Sequence, residues 1–223
     1  MWSTAIFRMK EKRVTPMYSK FLNLDKEKQD RIINAAIKEF AQKGYDKAST
    51  NEIVKEARIS KGLLFHYFQN KKQLYLFLYE HMIDILMGKI TERINWDEKD
   101  IFVRYRQIAL LKIEVYKIYP EMLNFAKSVY KDSSPAVKID INRRSKELLE
   151  NSLNKLFSDI DLSKFKKGID AKKAINIINW TLEGFAYQMQ EKALSLSFDQ
   201  IDYEETMEEM EEYLQILRNS LYE

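Results

Sequence analysis

The run from Ser49 to Lys71, STNEIVKEARISKGLLFHYFQNK, constrains this chain more than any other stretch. It has the pattern of two short helices joined by a three-residue turn and followed at once by the start of a third helix. Ser49 and Glu52 match an S-x-x-E capping box, Ser60 can cap a helix beginning at Lys61, and Asn70 with Gln73 repeats the box. Ile53, Val54, Ala57, Ile59, Leu64 and Phe68 are spaced to face one small core. Lys61, Gly62, Phe65, His66 and Tyr67 are thereby predicted to point outward. This is the layout of a helix-turn-helix, whose second helix enters the major groove of double-stranded DNA.

Charge supports that reading only mildly. The formal net charge is +3 over 223 residues, but residues 1–85 hold 16 Lys/Arg against 10 Asp/Glu, and residues 86–223 hold 21 against 24. Much of the excess lies in the first 24 residues, with five basic and one acidic side chain. This N-terminal extension, residues 1–24, reads as a basic arm adding phosphate contacts, as an extension without a role, or as a misassigned start. Neither a signal peptide nor a run of about 18 apolar residues is present, so a soluble cytoplasmic protein with no membrane association is expected. The absence of cysteine excludes a disulfide framework, Cys-ligated zinc and a catalytic thiol.

The remainder reads as helix throughout. From a cap at Asp25, Ile33, Ala36, Ile37 and Phe40 share one face, and Gly44 stops the helix. A long helix begins at Lys71 and runs to about Ile94, roughly 35 Å at about 1.5 Å per residue. Pro120 ends a run starting near Ile101. Ser134-Pro135 opens a helix to about Phe157, Asp170 caps one to about Leu194, and Asp202 with Glu205 caps the last, to about Leu221. No strand alternation stands out, and an all-α fold is predicted. Residues 25–70 form the DNA-binding unit in this reading, and residues 71–223 a second, helical domain.

The pattern S-T-N-E-I-V-K-E-A, then I-S-K-G-L-L-F-H-Y-F-x-N-K, preceded by A-A-x-x-x-F-A-x-x-G-Y, resembles the TetR family of bacterial transcriptional regulators over roughly residues 28–75. The resemblance implies a homodimer that binds a pseudo-palindromic operator and is released by a small, largely apolar or aromatic effector, most simply as a repressor. It places Thr50, Ser60, Tyr67 and Lys71 at phosphates, and Lys61, Gly62, Leu63 and His66 near base edges. Lys71 at a helix N-terminus would meet a phosphate together with the helix dipole. Leu63 could touch only a thymine methyl. Two residues depart from the family pattern. Arg58 stands where Gly is common in the turn, and Phe65 stands where Tyr is common. An activator, or a helical protein acting through a protein partner, is the alternative.

Other candidates are weaker. A half-buried core aromatic is the alternative for Tyr67. His66 and His81 lack the spacing of a metal pair, and no nucleophile triad or P-loop occurs, so no catalytic residue, metal or cofactor is expected. Arg104, Arg106 and Glu114 either orient a ligand or sit at the surface. Ile175, Ile178, Leu182, Phe185 and Met189, with Met207, Met210, Leu214, Leu217 and Leu221, are either core or half of a four-helix dimer interface. The resemblance favours the interface.

Overall fold

A computed structural model describes residues 18–132, 134–196 and 200–223. Residues 1–17, which make up most of the N-terminal extension, lie outside the described residues. The helices are α1 Ser19–Leu22, α2 Lys26–Lys47, α3 Thr50–Ala57, α4 Lys61–Phe68, α5 Lys71–Arg93, α6 Ile101–Ile118, α7 Pro120–Lys131, α8 Pro135–Leu156, α9 Ala171–Ala193 and α10 Tyr203–Leu221. The fold is all-α. The β pairing among the described residues is a single isolated bridge between Phe165 and Tyr222. The chain divides into two compact units, one taking the described residues up to Met82 with Asn124–Arg143, the other Ile83–Leu123 with Arg144–Glu223.

In the first unit, Asp25 caps α2 by accepting the Lys28 N–H at 2.8 Å. Ile33, Ala36, Ile37 and Phe40 turn inward. At Gly44 the backbone leaves the helical region, with φ 68° and ψ 176°, and one further turn to Lys47 follows. Only glycine takes that φ without strain. Within the N-terminal extension, α1 delivers Phe21 to an aromatic cluster. Phe21 lies 4.7 Å from Phe68 and 5.2 Å from Phe77 between ring centroids. Tyr18 joins the cluster 4.9 Å from Phe77.

The same unit includes the end of α7 and the start of α8. Ser128 donates its hydroxyl to the Phe40 carbonyl at 2.8 Å, and Asp132 accepts the N–H groups of Tyr45 at 2.7 Å and Ser134 at 2.9 Å. The Ser134 hydroxyl, expected to cap α8, donates instead to Asp46 at 2.9 Å. Lys72 and Asp140 pair at 2.6 Å. The turn that ends α2 is thus tied by its backbone and side chains to residues almost ninety positions later.

In the second unit, Ile101, Phe102, Ala174, Ile178, Leu182, Phe185, Met210 and Leu214 form one core, and Leu86, Ile90, Ile94, Val115 and Leu156 a second. Asp170 and Asp202 cap α9 and α10 as their positions predict. Two expectations change here. Arg104 is neither a surface residue nor a ligand-facing one. It is fully buried and donates to the Leu156 carbonyl at 2.9 Å, to Asp159 at 2.6 Å and to the Glu98 carbonyl. It therefore supplies the donors that the backbone between α5 and α6 and the C-terminal end of α8 lack. On α9 and α10, Ile178, Leu182, Phe185, Met210 and Leu214 are core of the single chain. The outward apolar residues are Ile177, Trp180 and Tyr187 on α9 and Tyr213 and Ile216 on α10.

Candidate nucleic-acid interface

Three local devices set α3 against α4. Ile53 and Ala57 on α3 and Leu64 and Phe68 on α4 are fully buried, so each helix is fixed by its apolar face. Between them the chain turns through Arg58, whose φ of 54° and ψ of 49° are left-handed. Ser60 then starts α4, accepting the Leu63 N–H at 3.2 Å. Asn70 caps α5 in the same way, taking the Gln73 N–H at 2.9 Å. The Gln73 side chain does not return to Asn70, because it accepts the Tyr18 hydroxyl at 3.1 Å.

The cap of α3 differs from its sequence pattern. The Ser49 side chain makes no capping bond, and Glu52 is exposed. The Ser49 N–H goes to Glu39 of α2 at 2.8 Å, and Glu39 also pairs with Lys43 at 2.9 Å. Burial works against ionising Glu39, but the Ser49 N–H and the Lys43 ammonium outweigh it and hold the carboxyl below the usual range. A tertiary acceptor thus takes the bond that Glu52 would have made in the local box, and the Ser49 hydroxyl does not cap α3.

The eight residues of α4 divide cleanly. Lys61, Gly62 and His66 are exposed, Leu63 and Phe65 half-buried, and Leu64, Tyr67 and Phe68 buried. Tyr67 is the exception to the expected outward set. Its side chain is 5% exposed and its ring lies 6.0 Å from that of Phe21, so α1 covers a face that would otherwise be open. A Cβ on Gly62 would meet nothing within 4 Å. Packing inside the chain therefore does not require glycine there, and close approach of an external partner is what it permits. The Lys61 ammonium stands 6.0 Å from the Phe65 ring centroid.

Thr50 is the first residue of α3 and half-buried. Lys71, at the start of α5, donates to the Asp46 carbonyl at 3.0 Å and lies 4.8 Å from the Tyr45 ring centroid. Its ammonium is thereby held beside the end of α2. The exposed part of α4 offers an ammonium, an imidazole and a side-chain-free backbone, the groups that donate to guanine and phosphate oxygens. Among the described residues no group of three or more His, Asp or Glu is placed to hold a metal ion. No helix there is long and apolar enough to cross a membrane.

Residues 32–77, which contain α3 and α4 whole, match the model for bacterial regulatory proteins of the tetR family. The HTH-type transcriptional regulator YuxN of Bacillus subtilis (strain 168) is 30% identical over 128 residues, 57% of this chain and 43% of that protein. The alignment therefore spans less than half of YuxN. The fatty acid metabolism regulator protein of the same organism is 24% identical over 157 residues, 69% of this chain and 78% of that protein. Among solved structures, the transcriptional regulator FadR from Bacillus subtilis in complex with stearoyl-CoA has a TM-score of 0.59 at 16% identity, covering 84% of this chain and 96% of that one. The match on the helix-turn-helix, the similarity to bacterial transcriptional regulators and the shared all-helical fold point the same way: residues 32–77 of this chain match a tetR-type helix-turn-helix, carried on a fold that such regulators share.

Proposed function

We propose that the chain is a ligand-responsive transcriptional repressor that binds a pseudo-palindromic operator as a homodimer. The observation that carries the reading is the division of α4. Lys61, Gly62 and His66 stand on an open face above a floor of Leu64, Tyr67 and Phe68. Lys61 and His66 read base edges in this proposal, Gly62 admits the backbone close to the DNA, and Leu63 touches a thymine methyl. Thr50, Ser60 and Lys71 contact phosphates. Tyr67 contributes its phenolic edge at most, because its ring belongs to the core.

Dimerisation is assigned to the outer face of α9 and α10. Ile177, Trp180, Gly184 and Tyr187 follow at intervals of three, four and three on α9, so they form one stripe. Trp180 is 66% exposed and Ile216 on α10 is 63% exposed. A Cβ on Gly184 would meet nothing within the chain, which leaves room for a partner helix. A two-fold dimer places two copies of α4 in successive major grooves, with half-sites about 34 to 36 Å apart or a multiple of that.

The effector is placed among the helices of residues 71–223 and is proposed to be small and largely apolar. The FadR structure, which shares the fold, holds stearoyl-CoA. Release requires only that the effector bind the DNA-incompetent arrangement better than the competent one. The test is an electrophoretic shift on DNA flanking the protein's own gene, with polyanion competitor. A discrete complex that an apolar extract disperses is expected, and the absence of any complex would remove the DNA-binding reading.

A further inference from the structure

The turn between α3 and α4 holds a residue whose backbone and side chain both need explaining. Arg58 has a left-handed backbone, with φ 54° and ψ 49°, a conformation that glycine takes freely and a side chain with a Cβ does not. Backbone strain of this kind persists where the surroundings enforce it, and it gathers at binding sites. Arg58 is exposed, and among the described residues its guanidinium has no hydrogen-bond or ion-pair partner. Lys55, in the last turn of α3, is also exposed and among the described residues unpaired, whereas its neighbour Glu56 pairs with Lys38 at 2.8 Å. In sequence the two cations precede Ser60 and Lys61, the cap and first residue of α4. On α4 itself Lys61 is the only Lys or Arg, and the half-buried Phe65 has no donor.

We infer that Arg58 is a phosphate-contacting residue of the DNA interface, presented by the left-handed turn and extended by Lys55 into a basic edge beside the reading helix. Arginine suits this place because its planar fork engages a phosphate with two parallel donors and it stays charged at any working pH. The contact would supply, from the turn, the charge that α4 lacks. This inference rests on the DNA-binding reading proposed above.

Arg58→Gly separates binding from folding, because the fold should gain from it. The probe is a duplex selected from a random-sequence library by the wild-type chain, titrated by fluorescence anisotropy between about 50 and 200 mM salt. The expected result for Arg58→Gly is a Tm about 2–4 °C higher, with affinity roughly fivefold lower or more and a salt slope shallower by about one unit. Arg58→Lys, which keeps the charge and the strained backbone, should retain the wild-type slope. Wild-type affinity and slope in a stabilised Arg58→Gly variant overturn the inference and leave the DNA-binding reading intact. A wild-type chain that selects no duplex overturns both.

Discussion

The carboxylate of Glu39, near the end of α2, accepts the backbone N–H of Ser49, ten residues later and at the entrance to α3, at 2.8 Å. One bond therefore sets the entry of the helix-turn-helix relative to the helix beneath it. The folded-state pKa of Glu39 is lowered from 4.5. A depressed carboxylate stabilises the folded chain fully above its unfolded value, and that contribution is lost as pH falls through the folded value. Glu39→Gln keeps an acceptor but loses the charge and the Lys43 pair. It should lower stability by about 1 kcal/mol at neutral pH, with the difference from wild type shrinking below about pH 4.5. Urea midpoints measured down the pH scale decide it, and a difference that did not change with pH would count against the ionised bond.

Asp132 is the second tie of this unit, joining the Tyr45 N–H, the Ser134 N–H and, at 3.4 Å, the Tyr75 hydroxyl. The Tyr75 side chain is fully buried, and burial foremost, then Asp132, pushes its phenol upward in pKa. Asp132→Ala leaves these donors without their acceptor and should cost about 2–3 kcal/mol. Amide exchange at Tyr45 should accelerate by the same free energy. Unchanged protection at Tyr45 would show that the tie does not hold the turn.

Caps were the most legible part of this fold, because their donors and acceptors lie within three residues. Asp25, Asp170 and Asp202 accept the N–H groups that their spacing predicts. At Ser49 the bond expected from Glu52 is made by Glu39 of α2 instead, and no local rule reports a contact across helices. Arg104 has the spacing of an ordinary helix-surface arginine. Its partners Leu156 and Asp159 lie more than fifty residues away, so burial was invisible in the sequence. On α4 the exposed Lys61, Gly62 and His66 followed from spacing, but Tyr67 needed knowledge of Phe21 in a helix of four residues. A helix that short carries too little periodicity to be read. On α9, the residues assigned to an interface and those left outward differ by one position, Ile178 against Ile177, within the error of any face drawn by periodicity alone.

Lys71→Ala should weaken DNA binding on all sequences and make the salt slope shallower by about one unit. Because Lys71 also donates to Asp46 and faces the Tyr45 ring, a stability loss under about 1 kcal/mol is expected beside it. Lys71→Arg should restore the slope. If Lys71→Ala loses stability alone and keeps the wild-type slope, the ammonium serves the end of α2 and not a phosphate.

The outer face of α9 and α10 gives a prediction in which position decides the outcome. Trp180 and Ile216 are 66% and 63% exposed in the single chain, whereas Ile178 is fully buried. Trp180→Glu and Ile216→Arg remove apolar surface that a second chain would cover in the proposed dimer, at about 25 cal/mol per Å² of burial lost, and add a charge where two copies would meet. Each should shift sedimentation equilibrium from dimer to monomer while the helical circular dichroism at low temperature stays as in the wild type. Ile178→Glu should instead unfold the second unit, because it places an unpaired charge in the core. Loss of the dimer should also weaken operator binding far more than binding to a single half-site, since the two reading helices would no longer be linked. A wild-type chain that remains monomeric at micromolar concentration, or dimers that survive both surface substitutions, would exclude this face as the interface.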